Sequence, residues 1–285
     1  MALKHILIAV PTMAGLMKAK TATTLVMLMR QLTRAGIEAE YLNVDSSDIV
    51  YARNLYAREV LNSKTLDGLL FVDSDMQFRP ALVLKMLRLE AELVGVAYPK
   101  RALNLDQFAR AMADSGAFTP EAKLKALANT YQYTVIPSWD TPKVERLKVV
   151  GGFAKMAAAG MGCTLIGRTA LQAMIDGKVV DRRKDVIDGV EHKSWGFFDC
   201  LKVGEISLSE DFSFCYRWTR LLGRDLWVCV DEPITHLGDF SYQTRYMDRL
   251  VPIARPAATV TVEGPAAVTP DSNMIELDVD LLGQA

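Results

Sequence analysis

The first hundred residues alternate between short segments with strand character and segments whose apolar residues lie three or four positions apart. Strands are predicted at 6–10, 40–44, 69–72 and 93–97. The helical spacing between them predicts a first helix that Gly36 ends, a second that Asp48 caps and a third that Pro80 opens. This order predicts an α/β fold with a mostly parallel central sheet flanked by helices. In such sheets, ligands bind beyond the carboxyl ends of the strands.

The second half of the chain is less regular. Residues 103–129 are rich in Ala and Lys and predict helical structure, which we interpret as an insertion that covers the site. Further strands are predicted at 131–136, 147–150, 163–166 and 226–230, with helices that begin near Thr169 and Ser209. The charged segment 181–194 is interpreted as a loop, and so is the stretch with His236. Beyond Pro256 the composition indicates an extended tail that forms an edge strand or an oligomer contact.

Composition narrows the class of protein. The chain has 285 residues, half of them hydrophobic, and a net charge of -1, which predicts a globular protein and argues against broad binding of nucleic acid. Its four cysteines lack Cys-x-x-Cys spacing, so we expect reduced core thiols. No apolar stretch reaches the roughly 20 residues that span a bilayer, and the run at 6–10 is too short for a signal peptide. A cytoplasmic protein without a transmembrane segment is predicted.

The chemically most informative segment is Asp73-Ser74-Asp75, directly after the apolar run 69–72. Two carboxylates at the exposed end of a buried strand are suited to Mg2+ or Mn2+, which keep open positions for phosphate oxygens. A second pair, Asp278-Val279-Asp280, has no strand and helix around it, so the spacing alone is weak evidence. The first pair shares its edge of the predicted sheet with five other residues, which can converge on one ligand. They are Pro11, Thr12, Asp45, Lys100 and Arg101.

Six segments in this order resemble the signatures of GT-A glycosyltransferases, above all family 2-like enzymes from bacteria and their phages. They are Ile8-Ala9-Val10-Pro11-Thr12, Ala52-Arg53-Asn54, Phe71-Val72-Asp73-Ser74-Asp75, Gly160-Met161-Gly162-Cys163-Thr164-Leu165-Ile166, Ser209-Glu210-Asp211-Phe212 and His236-Leu237-Gly238. The resemblance covers residues 4–240. It implies a Rossmann-like GT-A catalytic domain over 1–250, with a nucleotide-sugar half at 1–102, an acceptor half at 130–250 and a tail over 251–285.

The resemblance also implies roles for residues of the metal site. Asp75 resembles the direct ligand of Mn2+ or Mg2+, and Asp73 the residue nearer the ribose and the metal-bound waters. His236 matches a later His that completes the metal shell. In the Glu210-Asp211 pair, Asp211 matches the base that takes the acceptor proton in an inverting transfer. A retaining transfer would use the same metal site without that base.

Donor binding follows from the same resemblance. Pro11, Thr12 and Asp45 lie where the nucleoside is held, Arg53 matches a residue near it, and Lys100 or Arg101 could assist at the phosphates. The expected function is therefore transfer of a sugar from a nucleotide-diphosphate sugar to an unidentified glycan, lipid or protein acceptor. The tail is a possible contact between copies of the chain.

Two departures and several alternatives stay open at this point. Asp45-Ser46-Ser47 stands where the family has an acidic pair, and no aromatic-rich acceptor motif surrounds Trp195. Glu210 and Asp211 also suit the amino terminus of a helix, and Arg53 could pair with an acid on its own helix. The alternative functions are a nucleotide-sugar-binding protein without turnover and a Mg-dependent phosphohydrolase.

Overall fold

The computed structural model describes residues 3–115, 120–140, 146–187, 189–239, 241–249, 251–252 and 274–278. The helices are α1 Ala19–Arg34, α2 Ile49–Asn62, α3 Ala81–Arg88, α4 Leu105–Ser115, α5 Pro120–Thr130, α6 Arg168–Asp176 and α7 Glu210–Cys215, which a π-helical turn, Tyr216–Leu221, extends. A short 3-10 helix spans Tyr246–Arg249.

The strands fall into one large sheet and several small ones. They are β1 His5–Thr12, β2 Glu38–Asp45, β3 Gly68–Val72, β4 Met76–Phe78, β5 Leu93–Val96, β6 Pro99–Leu103, β7 Tyr131–Tyr133, β8 Val135–Ile136, β9 Arg146–Val150, β10 Phe153–Met156, β11 Ala158–Ala159, β12 Cys163–Gly167, β13 Arg182–Ile187, β14 Val190–Trp195, β15 Lys202–Val203, β16 Ile206–Ser207, β17 Leu226–Cys229, β18 Ile234–Leu237, β19 Ser241–Thr244, β20 Val251–Pro252 and β21 Met274–Asp278.

The ten-stranded central sheet has the order β2-β1-β3-β12-β5-β17-β10-β9-β21-β20. Seven strands run in one direction, and β12, β10 and β21 run in the other. The α/β class and the mostly parallel orientation are confirmed. The departures from a purely parallel order are β10, β21 and β12, and the last of these lies antiparallel between β3 and β5. All five of its residues are buried, as a strand in the middle of a covered sheet requires.

Helices cover both faces of the sheet. Along β1, Leu7 and Ala9 pack into one hydrophobic core, and Ile6 and Ile8 pack into the other. Because successive strand residues point to opposite faces, these two cores lie on opposite sides of the sheet. The first core includes residues of α2 and α6, and the second includes residues of α1 and α3. The sheet therefore lies between two helical layers, with its carboxyl edge left to the connecting loops.

Two of the predicted loops are strands. Segment 181–194 forms the hairpin of β13 and β14, whose register joins Arg182 to Trp195 and Ile187 to Val190. Asp188-Gly189 lies between the two strands, and Gly189 has a φ of 78°. That dipeptide favours a two-residue hairpin turn between two strands. The prediction of a loop, which was based on the charge of the segment, is therefore wrong. His236 also lies in a strand, β18, which pairs with β4 and β19.

Part of the tail extends the sheet. Strand β21 pairs antiparallel with β9 along Met274–Asp278, and β20 pairs with β21 at the outer edge. The other tail residues, 253–273 and 279–285, lie outside the described residues, and so does any oligomer contact predicted there. Within the described part of the chain, no helix has both the length and the apolar character needed to cross a bilayer.

Candidate functional site

The two aspartates occupy the turn between β3 and β4. The backbone N–H of Asp73 donates to the carbonyl of Gly162 (3.0 Å), and that of Met76 donates back to the carbonyl of Asp73 (3.1 Å). Strand β18 then pairs with β4 so that His236 lies opposite Met76, and the N–H of Leu237 donates to the carbonyl of Asp75 (2.7 Å). The strand register thus brings the imidazole of His236 beside the carboxylate of Asp75.

The His236 ring is oriented by its other nitrogen. Nδ1 lies 3.0 Å from the carbonyl oxygen of Pro99, and a carbonyl can only accept a hydrogen bond, so Nδ1 is the donor. Nε2 faces Asp75, with 3.3 Å between Nε2 and Oδ2. The ring also packs edge-on against Tyr98, with 5.5 Å between centroids. A His held through one nitrogen by a backbone carbonyl presents the second to a ligand, as in metal sites.

The geometry of this pair fits two ligands of one divalent cation. Ligand atoms at about 2.1 Å from an ion, at angles near 90–109°, lie about 3.0–3.4 Å apart. Among the described residues, no group of three or more His, Cys, Asp or Glu side chains is arranged to hold a metal. Mg2+ commonly uses one or two protein ligands, with water and phosphate oxygens completing its shell. Asp75 and His236 could therefore hold a cation that a phosphorylated ligand also coordinates.

A guanidinium approaches the same carboxylate. Nη1 of Arg101 lies 3.3 Å from Oδ2 of Asp75. Arg101 and Lys100 are neighbours on β6, so their side chains point to opposite faces of the strand. The structure thus brings Arg101, rather than the predicted phosphate contact Lys100, to the acidic pair, and Lys100 is exposed. Arg101 is itself half exposed and can move, whereas Asp75 is largely enclosed.

Arg53 joins the first aspartate to the Glu210-Asp211 segment. Its Nη2 lies 3.1 Å from Oδ1 of Asp73, and its Nε lies 3.6 Å from Oε1 of Glu210. Only 4% of the Arg53 side chain is exposed. Burial disfavours its charge, but Asp73 and Glu210 outweigh that cost and raise the pKa of Arg53. The alternative, in which Arg53 pairs within its own helix, is wrong, because its guanidinium pairs with acids of two other elements.

The two acids at the start of α7 differ in their surroundings. Burial and the neighbouring Asp211 raise the pKa of Glu210, although Arg53 opposes the shift. Asp211 accepts hydrogen bonds from the Ser209 hydroxyl and from the N–H of Phe212 (2.8 Å). The expected capping residue, Ser209, therefore precedes the helix but orients the Asp211 carboxylate instead of bonding to the helix backbone.

The buried Tyr98 is close enough to Asp73 and Asp211 for both charges to act on its hydroxyl. Burial, and then Asp73 and Asp211, raise the pKa of its hydroxyl well above the usual range. The hydroxyl oxygen accepts the N–H of Gly162 (3.0 Å). A Cβ atom at Gly162 would lie 2.8 Å from that oxygen, and one at Gly160 would clash with it as well. The two glycines therefore allow a close approach of Tyr98.

The predicted nucleoside residues lie on the adjoining strands. Oδ1 of Asp45 accepts the N–H of Gly15 (2.8 Å) and lies 3.4 Å from the Thr12 hydroxyl. Pro11 is buried in β1, opposite Val44 of β2. The following loop is tied to the aspartate turn, since the N–H of Lys18 donates to the carbonyl of Ser74 (2.9 Å). The carboxyl ends of β1, β2 and β3 thus form one continuous edge.

Other residues noted in the sequence have packing roles. Asn54 donates to Oδ1 of Asp199 (3.0 Å) and accepts the N–H of Phe198 (2.9 Å). Asp199 also pairs with Arg183 at the base of the β13–β14 hairpin. Trp195 is half-buried against the core. The sequence reasoning missed Tyr98, although its position before Pro99 at a strand end was visible, and it gave Arg101 no fixed role.

Comparisons with known proteins give little beyond this geometry. No protein-family model matches the chain, and no curated protein matches it. Among solved structures, the chain is similar to the crystal structure of A197 from STIV, with 15% sequence identity and a TM-score of 0.43. That alignment covers 99% of this chain and 97% of A197.

Proposed function

We propose that the protein is a metal-dependent glycosyltransferase of GT-A type, which moves a sugar from a nucleotide-diphosphate sugar to an acceptor hydroxyl. The observation that carries the proposal is the distance of 3.3 Å between His236 and Asp75 at the carboxyl edge of the sheet. The family resemblance predicted that these two side chains share one cation. They come from positions 161 apart in the chain (236 − 75), so their contact depends on the fold.

In this proposal, Asp75 and His236 would hold Mn2+ or Mg2+, and the cation would help to bind the diphosphate of the donor. When bound, the cation acts as a Lewis acid on the leaving group. Asp73 is held by Arg53, and in this proposal it lies nearer the ribose than Asp75 does, as the family resemblance implies. Arg101 leaves Asp75 and pairs with the diphosphate, because a guanidinium binds phosphate oxygens well. Pro11, Thr12 and Asp45 border the place for the nucleoside.

Glu210 and Asp211, at the start of α7, have different roles in this proposal. Asp211 is the base that accepts the acceptor proton, a role that contributes roughly 10²–10⁴-fold to rate. Its carboxylate is oriented by the Ser209 hydroxyl, whereas Arg53 pairs with Asp73 and Glu210. Glu210 pairs with Arg53 and acts as a positioning residue. If Asp211 takes the acceptor proton, the transfer is inverting, because that base acts on the face of the sugar opposite the leaving group; a retaining enzyme would not require Asp211.

We place the reaction in the cytoplasm. All four cysteines are free thiols, and Cys163, Cys215 and Cys229 are buried. Unpaired cysteines in a chain of this size are typical of a reducing compartment.

The proposal is tested by a thermal-shift screen of UDP-, GDP-, dTDP- and CMP-sugars with and without Mn2+, followed by measurement of nucleotide release. A ligand at 100 times its Kd stabilises the folded state by about 2.7 kcal/mol. We expect one donor to raise Tm only with Mn2+, and to be slowly hydrolysed. Asp75→Ala should lose the shift, and Asp225→Ala, at the opposite edge of the sheet, should keep it.

The alternatives give different results in the same screen. A binding protein without turnover shows the shift and releases no nucleotide. A phosphohydrolase releases phosphate from simple phosphomonoesters. A shift that persists in EDTA, or no shift with any nucleotide sugar, would contradict the proposal.

A further inference from the structure

Strand β2 is a long edge strand with one free side. It pairs with β1 along all eight of its residues, and no strand in the described part of the chain lies along its other side. The N–H groups of Glu38 and of Ser46, just after the strand, donate toward the β1 chain (2.8 and 2.9 Å). The odd-numbered residues, among them Ala39, Tyr41 and Asn43, therefore direct their N–H and C=O groups to the free side. Such an edge is a template for another strand.

One flank of α1 exposes a row of side chains with the spacing of a contact between helices. Ala22, Val26, Met29 and Thr33 are all exposed and follow one another at intervals of four, three and four residues. This is the spacing of the a and d positions in a coiled coil. Val26 is 62% exposed and Met29 37%. We call these four residues the α1 seam. The seam is uncharged, although α1 has three basic residues and no acidic one.

The α1 seam and the free edge of β2 lie on the same side of the molecule. An open groove between the two elements is lined, among others, by Met29 and Thr33 of the helix and by Ala39 of the strand. Tyr41 points to the face of the sheet that α1 covers, because it lies beside Ile8, which packs into the core that includes α1. Tyr41 is 43% exposed. The edge and the seam therefore form one continuous surface.

We propose that this surface joins two copies of the chain, with β2 pairing antiparallel to β2 of the second copy and the two α1 seams packing together. Any strand could complete the edge, but a second copy also supplies the matching seam. Helix α1 packs on β1 and contacts β2, so it lies about two strand spacings, or about 10 Å, from its copy across the joined edge. Helices pack side by side at that distance.

Charge restricts the register of the joined strands. Opposite residues must share a face of the sheet, so the two-fold axis passes through a residue and not between two residues. With the axis at Tyr41, Glu38 lies opposite Val44 of the second copy. Glu40 then lies opposite Leu42 of the second copy, so no two acids meet. An axis at Glu40 would place that acid against its own copy, which is unfavourable, whereas the axis at Tyr41 pairs two exposed aromatic rings.

The dimer leaves both candidate sites open. Because the joined strands run antiparallel, the carboxyl ends of the strands in the two copies point in opposite directions, away from each other's site. The proposal is therefore independent of the proposed transferase activity, and its test needs neither metal nor nucleotide.

Light scattering of the full chain over a range of protein concentrations measures the dimer. Val26→Lys should raise the dissociation constant of the dimer by about tenfold or more, since it removes an apolar contact and places a like charge from each copy in the seam. The matched control is Met27→Lys, because Met27 is 50% exposed on the same helix but points away from the seam. It should dimerise as the wild type does.

Cysteine cross-linking tests the register. The background is Cys200→Ser, because Cys200 is exposed and the other three cysteines are buried. Opposite residues of an antiparallel pair have Cα atoms about 5.5 Å apart, within the range of a disulfide. Tyr41→Cys should therefore give a disulfide-linked dimer with oxidised glutathione. Ala39→Cys is the matched control, because in this register Ala39 lies about 14 Å from its own copy, too far for a disulfide.

Thermal melts of each variant establish that the fold is intact. A wild-type protein that is monomeric at every concentration would overturn the proposal. So would a dimer that Val26→Lys and Met27→Lys affect equally, as expected for a contact through the tail. Equal cross-linking of the Tyr41→Cys and Ala39→Cys variants would overturn the antiparallel pairing of β2.

Discussion

Replacing Arg53 by Met tests whether a single buried cation assembles the acidic edge. The apolar Met side chain is of similar length and can pack against Phe71, whose ring centre lies 4.9 Å from the guanidinium carbon of Arg53. The substitution leaves Asp73 and Glu210 facing each other without their shared cation. Removing one partner of a buried ion pair costs about 3–5 kcal/mol. Both carboxylates are partly exposed, so we expect the lower end, about 3 kcal/mol.

That loss corresponds to a fall in Tm of about 6–12 °C for a chain of this size. It should also depend on pH. Burial and Asp211 raise the pKa of Glu210, and Arg53 opposes that shift. Without Arg53, the folded-state pKa of Glu210 rises further, so the folded variant binds this proton more tightly than the unfolded chain does. The variant's stability therefore falls as pH rises above the unfolded value of a glutamate, about 4.3, and its deficit relative to wild type is larger at pH 7 than at pH 4.

Chemical denaturation at both pH values measures this difference. The matched control is Arg58→Met, because Arg58 is also a buried arginine of α2 but its ion pair, within the described part of the chain, is with its sequence neighbour Glu59. Adding Glu210→Gln to Arg53→Met should restore part of the lost stability, since one of the two uncompensated charges is removed. If Arg53→Met is no more destabilising than Arg58→Met, or if its deficit does not change with pH, the reasoning is wrong.

Three further substitutions probe the site. Arg101→Gln should strengthen the binding of Mn2+ alone, because it removes a cation that competes for Asp75, and it should weaken the binding of a nucleoside diphosphate. Calorimetry measures both affinities, and a change of the same sign in both would contradict the role of Arg101. Asp211→Asn should lower kcat by roughly 10²–10⁴-fold with little change in donor affinity, and equal turnover would remove Asp211 from the mechanism. Gly162→Ala should destabilise the fold by about 1–3 kcal/mol through its clash with the Tyr98 hydroxyl, and adding Tyr98→Phe should recover part of that loss in thermal melts.

The parts of the fold that the sequence predicted are those decided locally. Strands β1, β3 and β5 have apolar runs bounded by turn residues, and the side chain of Asp48 does cap α2 by accepting the N–H of Tyr51 (3.0 Å). The order of the strands within the sheet could not be predicted from local sequence. The apolar run of β12 predicts a strand, but nothing local places it between β3 and β5.

The residues of the candidate site could also be predicted from local sequence only in part. Asp73, Asp75 and His236 were chosen from short signatures, but the pairing of β18 with β4 decides that the last two meet. Arg101 rather than Lys100 reaches Asp75 because the two side chains point to opposite faces of β6. A sequence does not show which face of a short, exposed strand is directed toward the site. The Arg53–Glu210 contact joins two elements 157 positions apart (210 − 53), so it required the assembled fold.

The most direct test of the proposed cation site is a Mn2+ titration followed by electron paramagnetic resonance, in the presence of the nucleoside diphosphate of the best donor. His5→Gln is the control for His236→Gln, because both side chains are 15% exposed beside acidic residues, and His5 lies at the opposite edge of the sheet. We expect one Mn2+ per chain in the wild type and in His5→Gln, and an affinity lower by about tenfold or more in His236→Gln and Asp75→Asn. Equal Mn2+ affinity in all four proteins would contradict the site.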